Sequence, residues 1–213
     1  MLKIHHLGHS QSERIVWLCE ELGIPYELRH HTRDPATLLS PPGLKALHPL
    51  GAAPLIEDGN LLLAESAAIV EYVIEKHGDG RLKLGPEHPD YAAFLYWFHF
   101  SNGNLQPAIG RLMMVSRAQL PADHPVQASV QGRLDRVMAH VEARLGEAPY
   151  LAGRDFTAAD IMGVFSLTTM RLFQPVDLAP YPNIRAYLRR IGERPAYRQA
   201  MAKGDPDLTP MLS

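Results

Sequence analysis

The segment from Gly51 to Ser66 limits the possible folds of this chain more than any other. It reads GAAPLIEDGNLLLAES, which predicts a loop, a strand that opens at Pro54, a tight Asp-Gly turn, a second strand and the start of a helix. A proline that opens a strand after small residues is well placed for a cis peptide bond. A cis Ala53-Pro54 bond would leave the backbone N–H and C=O of Ala53 as an edge for an extended peptide.

Two polar residues begin the helix that follows these strands. Glu65 offers a carboxylate to an ammonium group, while Ser66 and the free N–H groups of the helix start offer donors to a carboxylate. A strand edge beside a clamp for both charges of an amino acid indicates a receptor for a small peptide. The alternative is an ordinary helix start, where the helix dipole favours a carboxylate.

The residues before this segment complete an α/β pattern. Residues 2–7 predict a short strand, residues 12–22 a helix with apolar residues at helical spacing, and residues 25–28 a second strand. Gly23 stands where a helix-ending glycine belongs, and Cys19 lies on the apolar face, so we expect it to be buried. The order β-α-β, an irregular helix and β-β-α is a thioredoxin-like pattern.

Four stretches relate the chain to a known family. They are residues 9–18 (HSQSERIVWL), 47–54 (LHPLGAAP), 63–66 (LAES) and 150–160 (YLAGRDFTAAD). In this order they resemble the cytosolic glutathione transferases, closest to bacterial and fungal members. The resemblance implies a thioredoxin-like α/β glutathione-binding domain over 1–78 and an all-helical (all-α) substrate-binding and dimerisation domain over 89–213.

The second half of the chain shows helical periodicity after a linker-like stretch at 78–88. Residues 90–117 predict one long helix with a bend at Pro107, and apolar residues from 126 to 145 predict another. Thr157 and Asp160 form a capping box, flanked by Phe156 and Ile161 as a hydrophobic staple. Two further helices are expected to begin at Pro182 and Pro195.

Composition argues against several classes of function. A net charge of −2 and a pI near 6.6 argue against a nucleic-acid partner held by a general basic field. A single cysteine permits no intrachain disulfide, consistent with a reducing compartment. There is neither a signal-like leader nor an apolar run of about 18 residues. We therefore expect a cytoplasmic protein without a membrane partner.

Histidine is frequent, with 11 residues, but its spacing does not suggest a metal site. His5 and His6 adjoin within a strand and should face opposite sides of it. Neither a His-x-x-x-His nor a Cys-x-x-Cys spacing occurs. We expect no metal cofactor.

The resemblance concerns the chemistry of a thiol. A free thiol has a pKa of about 8.5, so the nucleophilic thiolate is scarce at neutral pH. The serine-type transferases place their thiol-activating hydroxyl in the loop after the first strand, which by counting back from Arg14 selects Ser10. Ser12 remains the alternative, and either serine would also serve as a helix N-cap. No tyrosine lies in this loop, which argues against a tyrosine-type mechanism.

The same resemblance assigns the rest of glutathione. Ala53, with Pro54, would bind the backbone of the cysteinyl residue, and Glu65 with Ser66 would hold the γ-glutamyl end. These assignments are the family's, carried over to the matching positions of this chain.

At one binding position the chain departs from the family. The position two before the proline often carries Lys, Arg, Gln or His, which can reach the glycine carboxylate, and here it is Ala52. Lys45 or His48 could substitute, or either could be a solvated surface residue. The departure puts the affinity for glutathione in question.

The electrophile should lie between the domains and face Ser10. The expected walls are the middle of the long helix, including Asn104, and its continuation to Arg111 and Met114. Met113, Met114 and Met170 would suit an adaptable apolar pocket, although methionine at helical spacing is commonly core. Arg111 would either polarise a substrate or pair with a carboxylate across a dimer.

The sequence thus predicts a homodimeric glutathione transferase that stabilises the glutathione thiolate and directs it at an apolar electrophile. Conjugation, substitution and peroxide reduction, the reactions of detoxification, all remain open. The alternative is a non-catalytic glutathione-binding or protein-interaction module of the same fold, which Ala52 favours. A thiol-disulfide oxidoreductase would need a cysteine in place of Ser10.

Overall fold

The computed structural model describes residues 1–121 and 123–213. These residues form two compact units, of which the first comprises 1–83 and 192–210 and the second 84–191 and 211–213. The last helix of the chain therefore belongs with the N-terminal residues, a division that the sequence pattern did not indicate.

The first unit is built on a four-stranded mixed sheet. Its strands are β1 (Leu2–Leu7), β2 (Tyr26–His31), β3 (Leu55–Asp58) and β4 (Leu61–Ala64), in the spatial order β2-β1-β3-β4. β1 is parallel to β2, while β3 is antiparallel to both β1 and β4. With the helices α1 (Glu13–Leu22), α2 (Pro42–Leu47) and α3 (Ser66–His77), this arrangement confirms the predicted thioredoxin-like order.

Helix α1 packs against the last helix of the chain, α9 (Pro195–Gly204). The rings of Trp17 and Tyr197 meet edge to face with their centroids 4.9 Å apart, and both side chains are buried. This aromatic contact explains why α9 groups with the first unit. Gly23 ends α1 with a φ of 66°, as expected for a left-handed helix cap. Cys19 is buried as predicted, and its burial, with the charge of Glu20, raises the pKa of the thiol to about 12.

The segment before β3 has the predicted conformation. The Ala53-Pro54 peptide bond is cis, and β3 and β4 are joined by a tight turn in which Gly59 has a φ of 61°. Helix α3 begins one residue after Glu65. The two strands and the helix start therefore follow each other as the sequence indicated.

The second unit is helical. Its helices are α4 (Tyr91–Phe100), α5 (Gln106–Arg117), α6 (Pro125–Glu147), α7 (Ala158–Leu167) and α8 (Pro182–Gly192). α7 is buried along its whole length, and the capping box of Thr157 and Asp160 is present as predicted. Among the described residues, no helix combines the length and apolar character needed to cross a membrane.

The predicted single helix over 90–117 is interrupted before the proline rather than simply bent at it. A π-helical turn, Ser101–Leu105, separates α4 from α5, and the N–H of Gln106 donates to the carbonyl of Ser101 five residues back. Pro107 lacks an N–H, and its ring would clash with the carbonyl of Gly103 in a regular helix. The wider turn just ahead of the proline accommodates both effects.

Candidate active site

Ser10 lies in the loop between β1 and α1, and this loop is fixed from two directions. Arg33 donates to the carbonyl oxygens of Gly8 and His9 at 3.0 and 3.2 Å. The N–H of His9 donates to the carboxylate of Asp205 at 2.9 Å. The loop is therefore held in place on the N-terminal side of α1, where the helix dipole favours an anion.

A line of hydrogen-bonding groups leads inward from Ser10. Its Oγ lies 2.7 Å from Oγ of Ser12, which in turn lies 2.9 Å from Nδ1 of His6. The N–H of Ser12 also donates to Oγ of Ser10 at 3.2 Å. Ser10 is 7 % exposed, whereas Ser12 and His6 are both 0 % exposed. Of the two serines, only Ser10 retains surface that a ligand can reach.

His6 faces a carboxylate near the other end of the chain. Its Nε2 lies 3.2 Å from Oδ2 of Asp205, the residue after α9. The ring also packs closely on Gly204, since a Cβ there would lie 3.1 Å from it. Burial opposes ionisation of Asp205, but the facing imidazole of His6, with the N–H of His9, outweighs it and holds its pKa below its usual range. Asp205 is therefore an ionised carboxylate at neutral pH.

The predicted clamp residues lie together at the start of α3. Glu65 is exposed and has a φ of 72°, in a region that residues other than glycine rarely adopt. Backbone strain of this kind is concentrated at functional sites. Ser66 is buried, and its Oγ accepts a hydrogen bond of 3.0 Å from Nη1 of Arg14. The same nitrogen donates to Oε1 of Gln11 at 2.8 Å, so Arg14 joins the Ser10 loop to the start of α3.

Ala53 and Pro54 are both buried at the start of β3. The methyl group of Ala53 belongs to an apolar cluster with Leu7, Leu44 and Leu55. Because its side chain packs inward, Ala53 can offer a ligand only its backbone groups, which is the role that the resemblance implies for it.

Two cations were predicted near this loop. Lys45 is exposed in the last turn of α2, and its stem passes over Gly51, where a Cβ would lie 2.6 Å from Cγ of Lys45. Nδ1 of His48 instead accepts from the N–H of Leu50 at 3.4 Å. Ala52 is exposed and offers no charge. Lys45 thus has an exposed side chain beside this loop, whereas Nδ1 of His48 already has a partner.

The residues predicted for an electrophile lie in the second unit. Asn104, in the π-helical turn, accepts a hydrogen bond from Arg133 of α6. Arg111 lines a cavity of about 280 Å³ with Arg133 and Arg136. The structure thus brings Asn104 and Arg111 to the same arginine, while Met114, one helical turn further on, is 63 % exposed.

Several polar residues of the site were not predicted. His6 occupies the same strand face as buried Leu2 and Ile4, so the alternation of β1 could have placed it toward the core. Its link to Asp205 had no sequence signal, because the two are separated by nearly the whole chain. Among the residues that the structure describes, no three His, Cys, Asp or Glu side chains are arranged to hold a metal ion.

Family models, curated relatives and solved structures were compared with this chain. Residues 10–76 match the family model "Glutathione S-transferase, N-terminal domain", and residues 105–195 match "Glutathione S-transferase, C-terminal domain". Glutathione S-transferase 3 of Schizosaccharomyces pombe is 29 % identical, with 100 % of this chain and 92 % of that protein covered. Glutathione S-transferase 1 of Saccharomyces cerevisiae is 30 % identical, with 95 % of each covered. A crystal structure of a glutathione S-transferase from Actinobacillus pleuropneumoniae has a TM-score of 0.87 and 32 % identity, with 96 % of this chain and 93 % of that chain covered.

Proposed function

This chain belongs to the glutathione transferase family, and from that premise we propose that it lowers the pKa of the glutathione thiol with the hydroxyl of Ser10. The resulting thiolate attacks an apolar electrophile. The observation that carries this proposal is the position of Ser10, the outermost group of a buried polar line at the start of α1. A hydroxyl donor and a helix N-terminus both stabilise a thiolate relative to its thiol.

The remaining groups of glutathione have partners within the first unit. The backbone of Ala53, next to Pro54, pairs with the cysteinyl residue. Glu65 accepts from the γ-glutamyl ammonium group, while Ser66 and the N–H groups of α3 bind its carboxylate. Lys45 is the cation for the glycine carboxylate in place of the side chain that Ala52 lacks.

The electrophile is assigned to the second unit, with Asn104, Arg111 and Met114 as its contacts. Conjugation and peroxide reduction both use the same thiolate, and either would serve detoxification in the cytoplasm. As in the family, we expect a homodimer. The exposed side chains of Leu95 and Tyr96 on α4 offer apolar surface for such a contact, which sedimentation velocity tests directly.

Replacing Ser10 with alanine is expected to raise the pKa of bound glutathione's thiol by about one unit, because the thiolate loses its hydroxyl donor. Thiolate absorbance in the ultraviolet, titrated against pH, measures this pKa directly. The rate with a chromogenic aryl halide, measured well below the pKa of the bound thiol, should fall by about tenfold, in proportion to the lost thiolate.

Ser116, exposed on α5, provides the matched control for this experiment. Ser116→Ala should change neither the thiol pKa nor the rate. Bound glutathione with an unshifted thiol in the unmodified protein would favour the non-catalytic glutathione-binding module. If Ser10→Ala keeps the depressed pKa while Ser12→Ala loses it, Ser12 is the activating serine.

Replacing Glu65 with alanine should weaken glutathione binding by about 1–3 kcal/mol, since the γ-glutamyl ammonium group would lose a charged hydrogen bond. Isothermal titration calorimetry measures the change in Kd. Glu71→Ala, an exposed carboxylate on the same helix, is the control for loss of charge alone. An unchanged Kd for Glu65→Ala would rule out the clamp.

A further inference from the structure

Ser10, Ser12, His6 and Asp205 form a continuous polar line within the first unit. The successive separations are 2.7 Å between the two hydroxyls, 2.9 Å from Ser12 to Nδ1 of His6, and 3.2 Å from Nε2 of His6 to Asp205. The line begins at Ser10, which is 7 % exposed, and ends at the carboxylate of Asp205, which is 6 % exposed. Ser12 and His6 have no exposed surface, so bulk water does not reach the middle of the line.

The charge at the inner end sets the direction of the hydrogen bonds. Because the Asp205 carboxylate can only accept, the facing nitrogen of His6, Nε2, carries a proton. In a neutral imidazole Nδ1 is then an acceptor, so Ser12 donates its hydroxyl proton to His6 at 2.9 Å in preference to the carbonyl of Leu7 at 3.3 Å, and Ser10 donates to Ser12. With a neutral imidazole the line therefore points inward and ends at an unprotonated nitrogen.

The His6–Asp205 contact is suited to gaining a charge. Nε2 of His6 and Oδ2 of Asp205 are both buried, and neither makes a well-aligned hydrogen bond to any residue in the described part of the chain. They nevertheless lie at ion-pair distance. An imidazolium at His6 would strengthen this contact, because a charged donor forms a shorter and stronger hydrogen bond with a carboxylate.

The other titratable groups around the line are basic. From β2, the ring of His30 meets that of His6 with their centroids 5.7 Å apart. Burial lowers the pKa of His31, and the neighbouring imidazoles of His5, His6 and His30 lower it further. Beside Asp205, Nε2 of His9 lies 3.8 Å from the carboxylate. Arg33 donates to the carbonyl of His9. Burial lowers the pKa of Arg33, and the nearby charge of Asp205 partly opposes this lowering. Ser12, the residue before α1, offers its hydroxyl. Asp205 is thus the carboxylate that faces a protonated His6.

Building on the function proposed above, we propose that His6 accepts the glutathione thiol proton through the hydroxyls of Ser10 and Ser12, and that Asp205 holds the resulting imidazolium. The thiol S–H bond breaks as its proton passes to Oγ of Ser10. The former hydroxyl proton of Ser10 passes to Ser12, and that of Ser12 passes to Nδ1 of His6. Each hydroxyl is whole again at the end, and no electrons are transferred.

This transfer reverses the line of hydrogen bonds. Nδ1 of His6 now donates to Ser12, Ser12 donates to Ser10, and Ser10 donates to the thiolate. The same relay that removes the proton therefore leaves every donor aimed at the new negative charge. The carboxylate of Asp205 remains ionised throughout and pairs with the imidazolium.

The relay makes a quantitative prediction for the unmodified protein. Glutathione binding at about pH 7.5, above the ordinary pKa of imidazole, should generate thiolate absorbance without releasing an equal number of protons to the buffer. Calorimetry in buffers of different ionisation enthalpy counts those protons. S-methylglutathione, which has no thiol proton, corrects for protons linked to the amine and the carboxylates. One released proton per thiolate would overturn the relay.

Variants test the same relay independently. His6→Gln and Ser12→Ala should each raise the pKa of the bound thiol by about one unit, and His6→Gln combined with Ser10→Ala should raise it no further. The Kd of S-methylglutathione should stay unchanged, which separates a lost proton acceptor from a damaged site. His5→Gln is the matched control, because His5 bonds instead with His31 and Glu57. An unchanged thiol pKa in His6→Gln would refute the proposal.

Two further comparisons complete the test. If His6→Gln does not fold, Asp205→Asn keeps the imidazole and removes its counter-charge, and a thiol pKa that does not rise would contradict the relay. Failure of the relay is also distinct from failure of the proposed function. A Ser10→Ala protein with an unchanged thiol pKa contradicts both, whereas a raised pKa together with one released proton per thiolate contradicts the relay alone.

Discussion

Replacing Asp160 with alanine is expected to lower the free energy of unfolding by about 4 kcal/mol, because its carboxylate serves several buried donors. It accepts from the N–H groups of Leu151 and Thr157, each at 2.9 Å, and from the hydroxyl of Tyr187 at 3.0 Å. Asp160 is 0 % exposed, so water cannot replace the lost acceptor. Each donor left unpaired in the interior costs about 1–3 kcal/mol.

Urea denaturation followed by circular dichroism measures this loss as a fall in the midpoint concentration. Asp155→Ala, an exposed carboxylate five residues earlier, should stay within about 0.5 kcal/mol of the unmodified protein. Tyr187→Phe removes one of the donors and should cost about 1 kcal/mol. An Asp160→Ala variant as stable as Asp155→Ala would mean that the carboxylate does not hold the start of α7.

The same residue gives this stability a pH dependence. Burial raises the pKa of the Asp160 carboxyl to about 6, despite the opposing effect of its hydrogen-bond donors. The unfolded chain has a pKa of about 3.9 at this residue, so its protonation stabilises the fold fully below about pH 4, and that stabilisation is lost as the pH rises through about 6. The deficit of Asp160→Ala should therefore widen by about 2 kcal/mol between about pH 7 and pH 4.

Local chemistry made much of the fold predictable. The Asp-Gly turn, the glycine at position 23 and the box of Thr157 and Asp160 each depend on a few adjacent residues, and all three are present in the structure. The grouping of α9 with the first unit depends on contacts such as that of Trp17 with Tyr197. No periodicity in a single sequence reports that pairing. The π-helical turn could not be predicted either, because a proline indicates that a helix is irregular without specifying which irregular conformation it adopts.

The residues of the candidate site also divide into those that a local motif predicts and those that depend on contacts between distant parts of the chain. Ser10, Glu65 and Ser66 could be nominated because a motif of adjacent residues carries each of them. Arg14 served only to locate Ser10 within that motif. Its burial and its hydrogen bonds to Gln11 and Ser66 depend on the way α1 and α3 pack together. Hydrogen bonds between residues far apart in sequence appear only in the folded geometry.

Arg14→Met should strongly destabilise the first unit. We expect the free energy of unfolding to fall by about 3–5 kcal/mol, because a completely buried guanidinium is removed from polar groups that remain inside. Methionine retains much of the apolar stem, so a cavity contributes little to the loss. Arg29→Met is the matched control, since Arg29 is more than half exposed and pairs with Glu27 on the surface.

Arg14→Met should also weaken glutathione binding by tenfold or more, at temperatures where the variant is still folded. Arg14 holds Ser66 and Gln11 with one nitrogen, so its loss uncouples the start of α3 from the loop that carries Ser10. Asp160→Ala, whose defect lies in the second unit, should leave the Kd unchanged under the same conditions. Calorimetry on both folded variants decides the point. Equal affinity in Arg14→Met and the unmodified protein would show that Ser66 needs no support from Arg14 to bind the γ-glutamyl carboxylate.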